Sequence, residues 1–199
     1  MASQVEIVNR ALIKLGSSVI SSLGDNSKQA RVMSTMWDTV RRAELRRAFW
    51  QFALVRTSLP ANAAAPGWGY GYAYQLPSDF LRLMQVNDYF AVPSMSDYRE
   101  GDDSLYSIEG GQIFTDLGAP LKVRYVRDVT DPGAFDALFV ETFASALAYE
   151  SCEAITQSNQ KRELAADDRK MALREAVRTG AIEKPPQGLP DDGWMLGRL

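Results

Sequence analysis

The stretch "DPGAFDALFVETFASALAY", from Asp131 to Tyr149, carries the strongest structural signal in the chain. Asp131 is a favoured N-cap residue, and Pro132 is favoured at the first position of a helix. Apolar side chains then recur at helical spacing, at positions 135, 138, 139, 143, 146 and 147. We therefore predict a helix from this point to about Ser158, apolar enough to lie at the centre of a core.

The N-terminal segment predicts a first helix over residues 3–15. Ser3 and Glu6 have the spacing of a capping box, in which each side chain accepts a hydrogen bond from the other residue's backbone N–H. Apolar residues follow at helical spacing, and Gly16 is a natural C-terminal stop.

A second helix is predicted to begin after the loop that follows the first one. Asn26 or Ser27 can cap it, and it runs to about Phe49. Arg42 and Arg46 are expected to point away from its apolar face. That face is predicted to comprise Met33, Met36, Trp37, Val40 and Ala43.

A charged helix is predicted near the C-terminus, in the segment "QKRELAADDRKMALREAVRTG" at 160–180. Its sparse apolar residues Leu164, Met171 and Val177 are expected to make the core contacts, and Gly180 ends it. The side chains expected in the common helical core are Leu15, Trp37, Val40, Leu138, Phe139 and Phe143.

The interval 50–130 has strand character. Strand-like patterns lie at 50–59, 105–116 and 120–129, and a strand or a short helical turn at 79–86. Gly110–Gly111 supplies the positive φ of a tight hairpin turn. In the last strand Leu121, Val123 and Tyr125 share one face.

The order of these elements predicts an α+β fold, with one domain at 1–182. Helices of 3–49 and 131–180 form a bundle, and a small β-rich subdomain at 50–130 is inserted between them. Residues 183–199 are predicted to form an extended tail, because a proline pair breaks the last helix.

The composition excludes most catalytic chemistry. The 199 residues include no histidine and one cysteine, Cys152. Pairs of histidine with serine or cysteine, and most zinc sites, are therefore ruled out. Cys152 falls inside the central helix and is expected to be a buried, inert side chain. The "GWGYG" at 67–71 lacks the strand–turn–helix context of a dinucleotide site. We expect no enzymatic activity, no metal and no cofactor.

Carboxylates are the remaining candidates for catalysis. A glycoside hydrolase needs two carboxyl groups that converge across a cleft, about 5 to 10 Å apart. Loop solvation explains the acidic groups more simply. A hydrolase that uses carboxylates such as Glu100 and Asp103 stays open as an alternative hypothesis. The acidic groups are Glu100, Asp102 and Asp103, then Asp167 and Asp168, then Asp191 and Asp192.

The charge and the apolar pattern limit the partners. A formal net charge of −3 gives the chain no basic field of the kind that non-specific nucleic-acid binders use against phosphates. The opening sequence carries Glu6 early, unlike a signal peptide, and the most apolar long segment is interrupted by Asp136 and Glu141. We expect synthesis in the cytoplasm and no membrane contact.

The aromatic segment "PGWGYGY" at 66–72 is a candidate contact surface. Its glycines let the backbone turn, while Trp68, Tyr70 and Tyr72 offer large contact area at little cost in rotamer entropy. The residues that follow, 74–80, are expected to enter the core instead. We predict a contact with another subunit or with another protein at 66–72.

Two further groups are candidates for contacts with other chains. Arg42 and Arg46 suit either a solvated face near the C-terminal end of a helix dipole or an inter-subunit contact. Trp194, Met195 and Leu196 lie in a terminal segment with nothing local to pack against. They suit either a frayed terminus or a segment that docks on assembly.

Three stretches resemble the tail tubular protein A, or head-to-tail adaptor, family of short-tailed bacteriophages. They are "IVNRALIKLGSSVISSLGDNSKQAR" at 7–31, "RRAFWQFALVR" at 46–56 and "AYQLPSDFLRL" at 73–83. The resemblance spans most of the chain and rests on the order and spacing of these stretches, since no single one encodes chemistry.

The resemblance implies a virion structural protein of the tail or neck without catalytic residues. It implies a dodecameric ring between the portal protein and the tail nozzle, and DNA passes through the lumen of such a ring as cargo. The implied partners are the portal protein and the tail nozzle or a tail tubular protein B-like protein, so residues 66–72 are expected to contact another subunit or the nozzle. The alternative function is a head-completion protein with peptidoglycan hydrolase activity that uses carboxylates such as Glu100 and Asp103.

Overall fold

The computed structural model describes residues 2–87, 89–90 and 105–182. Its helices and strands confirm the α+β class. The helices are α1 (Gln4–Lys14), α2 (Lys28–Arg47), α3 (Ala137–Thr156) and α4 (Asn159–Ile182). The strands are β1 (Leu54–Leu59), β2 (Tyr72–Gln75), β3 (Phe80–Val86), β4 (Tyr89–Phe90), β5 (Tyr106–Glu109), β6 (Gln112–Thr115) and β7 (Leu121–Arg127).

Both N-terminal helices begin at their predicted caps. The Ser3 N–H donates to Glu6 Oε2 at 2.6 Å and the Glu6 N–H donates to Ser3 Oγ at 3.2 Å, so the capping box is confirmed. These hydrogen bonds from Ser3 lower the pKa of Glu6, because they favour the ionised carboxylate. Ser27, and not Asn26, caps α2, since its Oγ accepts from the Ala30 N–H at 3.1 Å.

The predicted start of the central helix was wrong by five residues. The Asp131 carboxylate accepts from the Gly133 N–H at 2.9 Å and starts a single 3₁₀ turn, Pro132–Ala134. α3 begins only after Asp136, whose carboxylate accepts from the Leu138 N–H at 2.9 Å. Two aspartates with the same capping chemistry lie close together, and the second one starts the long helix.

The other end of α3 also falls short of its predicted limit, Ser158. Gln157 adopts the left-handed conformation, with φ of 52°, and its N–H donates to the Glu153 carbonyl at 3.1 Å. This geometry ends the helix at Thr156 and turns the chain into α4. Cys152, in the last turns of α3, is buried as predicted.

α3 lies at the centre of the helices, and its aromatic side chains organise their core. The Phe139 ring lies 4.9 Å from Trp50, 5.1 Å from Phe52 and 5.7 Å from Phe143, measured between ring centroids. The Trp37 ring contacts Phe143 edge-on at 4.8 Å. Five of the six predicted core side chains are buried, namely Leu15, Trp37, Val40, Phe139 and Phe143.

Two residues were wrongly assigned to this core. Leu138 is only half-buried, because it lies at the edge of the cluster beside an open groove. Ala43 is exposed, since α2 turns Arg41, Glu44 and Leu45 inward instead. Those three continue the helical spacing from Trp37, whereas a position six residues from Trp37 lies on another face.

The predicted inward face of α4 was wrong. Leu164, Met171 and Val177 are exposed, and the buried residues are Ala165 and Ala176. Small side chains let α4 approach α3 closely, so the large apolar residues remain on other faces. α4 also continues past the predicted stop at Gly180 to Ile182.

The strands form two antiparallel sheets, in the orders β1-β7-β3-β4 and β2-β6-β5. The 79–86 segment is a strand, β3, and the Gly110–Gly111 turn joins β5 to β6 with φ of 55° and 80°. A second apolar cluster is shared by both sheets. It comprises Leu59, Tyr74, Leu76, Leu83, Val86, Ile113, Leu121, Val123 and Tyr125.

Candidate interaction surfaces

The arginines at the end of α2 join the helices to the sheet. Arg41 is buried and pairs with the Asp128 carboxylate, and its Nη1 donates to the Val129 carbonyl at 2.6 Å. Arg42 Nε donates to the same carboxylate at 2.8 Å. Asp128 follows β7 directly, so this cluster attaches the last strand to α2. The burial of Arg41 was not predicted, although its spacing of four residues from Trp37 could have indicated it.

A second set of contacts lies one turn further along α2. Arg46 Nη1 donates to the Leu81 carbonyl at 2.8 Å. In return Arg82 Nη1 donates to the Arg46 and Arg47 carbonyls at 3.2 and 3.3 Å, and the Arg82 guanidinium lies 4.3 Å above the Phe49 ring. Arg46, like Arg42, thus has partners within its own chain. Their contact with a second subunit stays a prediction.

The carboxylate of Glu44 is fully buried and neutralised by an arginine. Its Oε1 accepts from Arg169 Nη2 at 2.6 Å, and Arg169 Nη1 donates to Glu150 at 3.1 Å. The Trp50 indole N–H donates to the Glu44 carbonyl at 2.9 Å. This pair joins α2 to α4 beneath the surface, where a polymeric substrate has no access. Its geometry is that of a structural ion pair.

The segment 66–72 lies on the surface, with Trp68 86% exposed, Tyr70 half-buried and Tyr72 exposed. Gly69 adopts a φ of 85°, and the Gly71 N–H donates to Asp116 Oδ1 at 2.7 Å. We call Trp68 and Tyr72 the loop patch.

The residues after the loop patch enter the core, as predicted. Tyr74 is fully buried, and its hydroxyl donates to the Leu117 carbonyl at 2.7 Å. Leu76 is buried, and Phe80 is partly buried against the same cluster. The aromatic run is therefore divided between the surface and the core within a few residues.

A second exposed apolar area lies on the helices. Ile13 of α1 and Leu164 of α4 line the same cavity of about 270 Å³, and Met171 lies two turns beyond Leu164 on the same face of α4. Met171 is 65% exposed, and the other two side chains are exposed to a similar degree. We call these three residues the helix patch. From the helical periodicity of the sequence, Leu164 and Met171 were predicted to be core residues, and Ile13 was not singled out.

An apolar groove of about 680 Å³ lies where α2, β3, α3 and α4 meet. Phe49, Phe52 and Leu138 form its walls, and Val177 stands at its edge with 49% exposure. Gly180, near the end of α4, also lines it. Polar residues at the groove are Arg47, Gln51, Arg82, Asp136 and Thr179.

The outer face of the larger sheet carries a basic strip. Arg56 of β1 lies directly opposite Arg124 of β7, and Lys122 lies opposite Ser58. Burial, and secondarily the charge of Arg56, lower the pKa of Arg124. Like charges in cross-strand register oppose pairing of the strands, so an anion near this strip would relieve their repulsion.

The acidic residues weighed for catalysis are dispersed or lie outside the described residues. Asp167 and Asp168 are exposed on α4, and Asp167 accepts from Lys170 at 3.3 Å. Residues 91–104, with Glu100, Asp102 and Asp103, fall outside the description, as do Asp191 and Asp192. Within residues 2–87, 89–90 and 105–182, no three acidic or cysteine side chains cluster as metal ligands would.

The predicted tail contacts Trp194, Met195 and Leu196 also lie outside the described residues. Among the helices that the structure describes, none combines the length and apolarity needed to cross a bilayer. Neither protein-family models nor curated protein sequences give a match to the chain.

Proposed function

We propose that the chain is a virion structural protein, a head-to-tail adaptor that forms a ring between the portal and the tail nozzle of a short-tailed bacteriophage. The observation that carries this proposal is the presence of two separate exposed apolar areas on one chain, the loop patch and the helix patch. Large exposed apolar areas mark contact surfaces more often than catalytic ones.

Two different patches are what a ring requires. In a head-to-tail contact, one surface of each copy meets a different surface of the next copy, and the series closes when the rotation fits. A symmetric dimer would need only one self-complementary patch. The loop patch lies beside the three-stranded sheet and the helix patch on α1 and α4, so they belong to different parts of the fold.

The ion pairs of Glu44 and Asp128 also suit a structural role. The fully buried carboxylate of Glu44 is held by Arg169, and the Asp128 carboxylate is held by two arginines of α2. These carboxylates are paired with cations in fixed geometry, which leaves them poorly suited to move a proton. In the proposed ring, the basic strip at Arg56 and Arg124 offers a cationic surface to DNA that passes as cargo.

The decisive test uses two variants that each break one patch, Trp68→Ala and Met171→Glu. Mass is measured by light scattering over a range of concentrations, for each variant and for an equimolar mixture. The unchanged chain is expected to form a closed ring, and each variant to remain monomeric. The mixture is expected to form a dimer, because one intact patch of each kind remains.

A different pattern would contradict the proposal. If the unchanged chain stays monomeric at every concentration, and also when it is mixed with the portal protein, the proposal that it forms a ring is contradicted. If either variant alone still forms the full ring, the substituted patch is not a ring contact. Lys170→Glu serves as the control, since it changes charge on an exposed residue next to Met171.

A further inference from the structure

The groove between α2, β3, α3 and α4 is built like a site for a large apolar side chain. Phe49, Phe52 and Leu138 are each only partly buried, although they extend the aromatic core around Phe139. Leu138 falls on the apolar repeat of α3 and yet remains open to the groove. A volume of about 680 Å³ exceeds what a single indole needs and suits an indole with a neighbouring side chain.

The chain has a segment whose chemistry matches this groove. Residues 183–199 follow α4 directly, and α4 ends beside the groove lining at Gly180. The segment "PDDGWMLGRL", at 190–199, places Trp194, Met195 and Leu196 next to one another. Aromatic and methionine side chains are enriched at the buried centres of interfaces.

The charges beside the groove match the same segment. Arg47 and Arg82 line the groove, and Asp191 and Asp192 stand just before Trp194. Asp136 also lines it, but its carboxylate is engaged by the first N–H groups of α3. Two cationic side chains therefore lie beside the apolar groove, although both also have partners within the chain: Arg47 Nη2 lies 3.6 Å from Glu44 Oε1, and Arg82 Nη1 donates to carbonyl groups of α2. Two aspartates precede the apolar anchor, so the charges of the segment and of the groove rim are opposite.

The length of chain between α4 and Trp194 favours docking in the groove of another copy over docking in the chain's own groove. Pro185, Pro186 and Pro190 favour extended backbone, which advances about 3.1 Å per residue. Twelve such steps from Ile182 to Trp194 carry the anchor roughly 37 Å, comparable to the diameter of a domain whose radius of gyration is about 16 Å. A segment extended in this way would carry the anchor past its own groove and to the distance of an adjacent subunit.

We propose that the C-terminal segment 190–199 of one copy docks in this groove of the next copy, with Trp194 as the anchor and Asp191–Asp192 against Arg47 and Arg82. This inference rests on the proposed ring and names a contact that links its subunits. A segment exchanged between adjacent subunits repeats around the symmetry axis, so a weak individual contact is multiplied.

The test mixes two kinds of full-length chain, each with one accessible cysteine. Cys152 is replaced by alanine in both, which is tolerable because it is a small buried side chain. One chain carries Met195→Cys and the other, distinguished by a size tag, carries Val177→Cys at the groove. The control partner carries Lys170→Cys, which is exposed on the same face of α4 two turns before Val177 and lies outside the groove and outside the helix patch.

Mild oxidation of the mixture is expected to link Met195→Cys to Val177→Cys at least tenfold more than to Lys170→Cys. Adding Asp191→Asn and Asp192→Asn should reduce that yield. Equal linking to both partners would overturn the proposal. So would a chain bearing both Met195→Cys and Val177→Cys that links only within itself at every concentration, because the segment would then occupy its own groove.

The masses of the same samples before oxidation separate this inference from the proposed function. Rings without selective linking would mean that the segment docks elsewhere while the adaptor proposal stands. Selective linking without closed rings would support the exchange of segments and contradict the ring.

Discussion

The core around Phe139 and the loop patch use aromatic residues in opposite ways. Phe139 is fully buried and contacts Trp50, Phe52, Phe135 and Phe143 through its ring. Trp68 is 86% exposed, although its side chain is the larger one. Large aromatic side chains thus occur both in the core and on the surface of this molecule. Replacing Phe139 and Trp68 in turn should show that the first contributes to stability and the second to the proposed assembly.

The largest loss of stability is expected from Phe139→Ala. The substitution leaves a cavity at the centre of four aromatic rings and should lower the free energy of unfolding by about 3 to 5 kcal/mol. Urea unfolding of the full chain measures this loss. A loss below about 1 kcal/mol would mean that the core is centred elsewhere.

Asp128→Asn tests the junction between α2 and the larger sheet. Arg41 would keep its charge in a buried site but lose the carboxylate that neutralises it, so the free energy of unfolding should fall by about 2 to 3 kcal/mol. Asp38→Asn is the matched control. Asp38 also accepts from Arg41, at 3.1 Å, but its side chain is 78% exposed, so this change should cost less than about 1 kcal/mol. Equal losses would contradict the assigned burial.

A pH-dependent loss is expected from the sheet region. Burial raises the pKa of Tyr125 to about 12, and its hydroxyl donates to Asp79 at 2.9 Å. The unfolded chain releases this proton near pH 10 and the folded chain only near pH 12, so stability should fall as the pH rises between about 10 and about 12.

Tyr125→Phe should make that fall shallower. Some of the fall should remain, since burial also raises the pKa values of Tyr74 and Tyr106. Urea unfolding at a series of alkaline pH values gives the slope, and an unchanged slope would show that Tyr125 titrates normally.

Trp68→Ala should impair assembly and leave stability almost unchanged, in contrast to Phe139→Ala. The free energy of unfolding of the monomer should change by less than about 0.5 kcal/mol, because an exposed side chain contributes little to the fold. The variant should remain monomeric over the concentration range in which the unchanged chain forms rings. Sedimentation velocity against concentration measures this loss of assembly, and an unchanged profile would remove Trp68 from the contact.

Deleting residues 184–199 should have the smallest effect on the fold. Thermal unfolding of the monomer should stay nearly unchanged, while attachment to the portal or to the ring should weaken. Burial of Trp194 and its neighbours contributes about 2 to 3 kcal/mol per side chain, but ordering the backbone offsets much of it. A strong loss of monomer stability with intact assembly would instead place the tail within the fold.

The sequence predicts most where a local rule acts without competition. The capping box at Ser3 and Glu6, the Gly110–Gly111 hairpin and the alternation of β7 were confirmed because each depends on residues close together in the chain. The start of α3 was wrong because Asp131 and Asp136 compete for the same role, and local chemistry alone does not choose between them.

The inward face of α4 could not be derived from hydrophobicity. Its large apolar residues are exposed, while Ala165 and Ala176 pack inward beside Arg169, which reaches Glu44 of α2. That pair lies 125 positions apart in the chain, so no local pattern reveals it. For the same reason the groove was missed: its lining comes from α2, β3, α3, α4 and the segment after α2, which are far apart in the sequence, so no local pattern marks it.

The most direct test of the adaptor proposal is electron microscopy of the full-length chain, alone at high concentration and mixed with the portal protein of its phage. The proposal predicts closed rings with an open lumen, twelvefold as the family resemblance implies, seated coaxially on the portal. Particles that remain single copies under both conditions, with no density added to the portal, would contradict it.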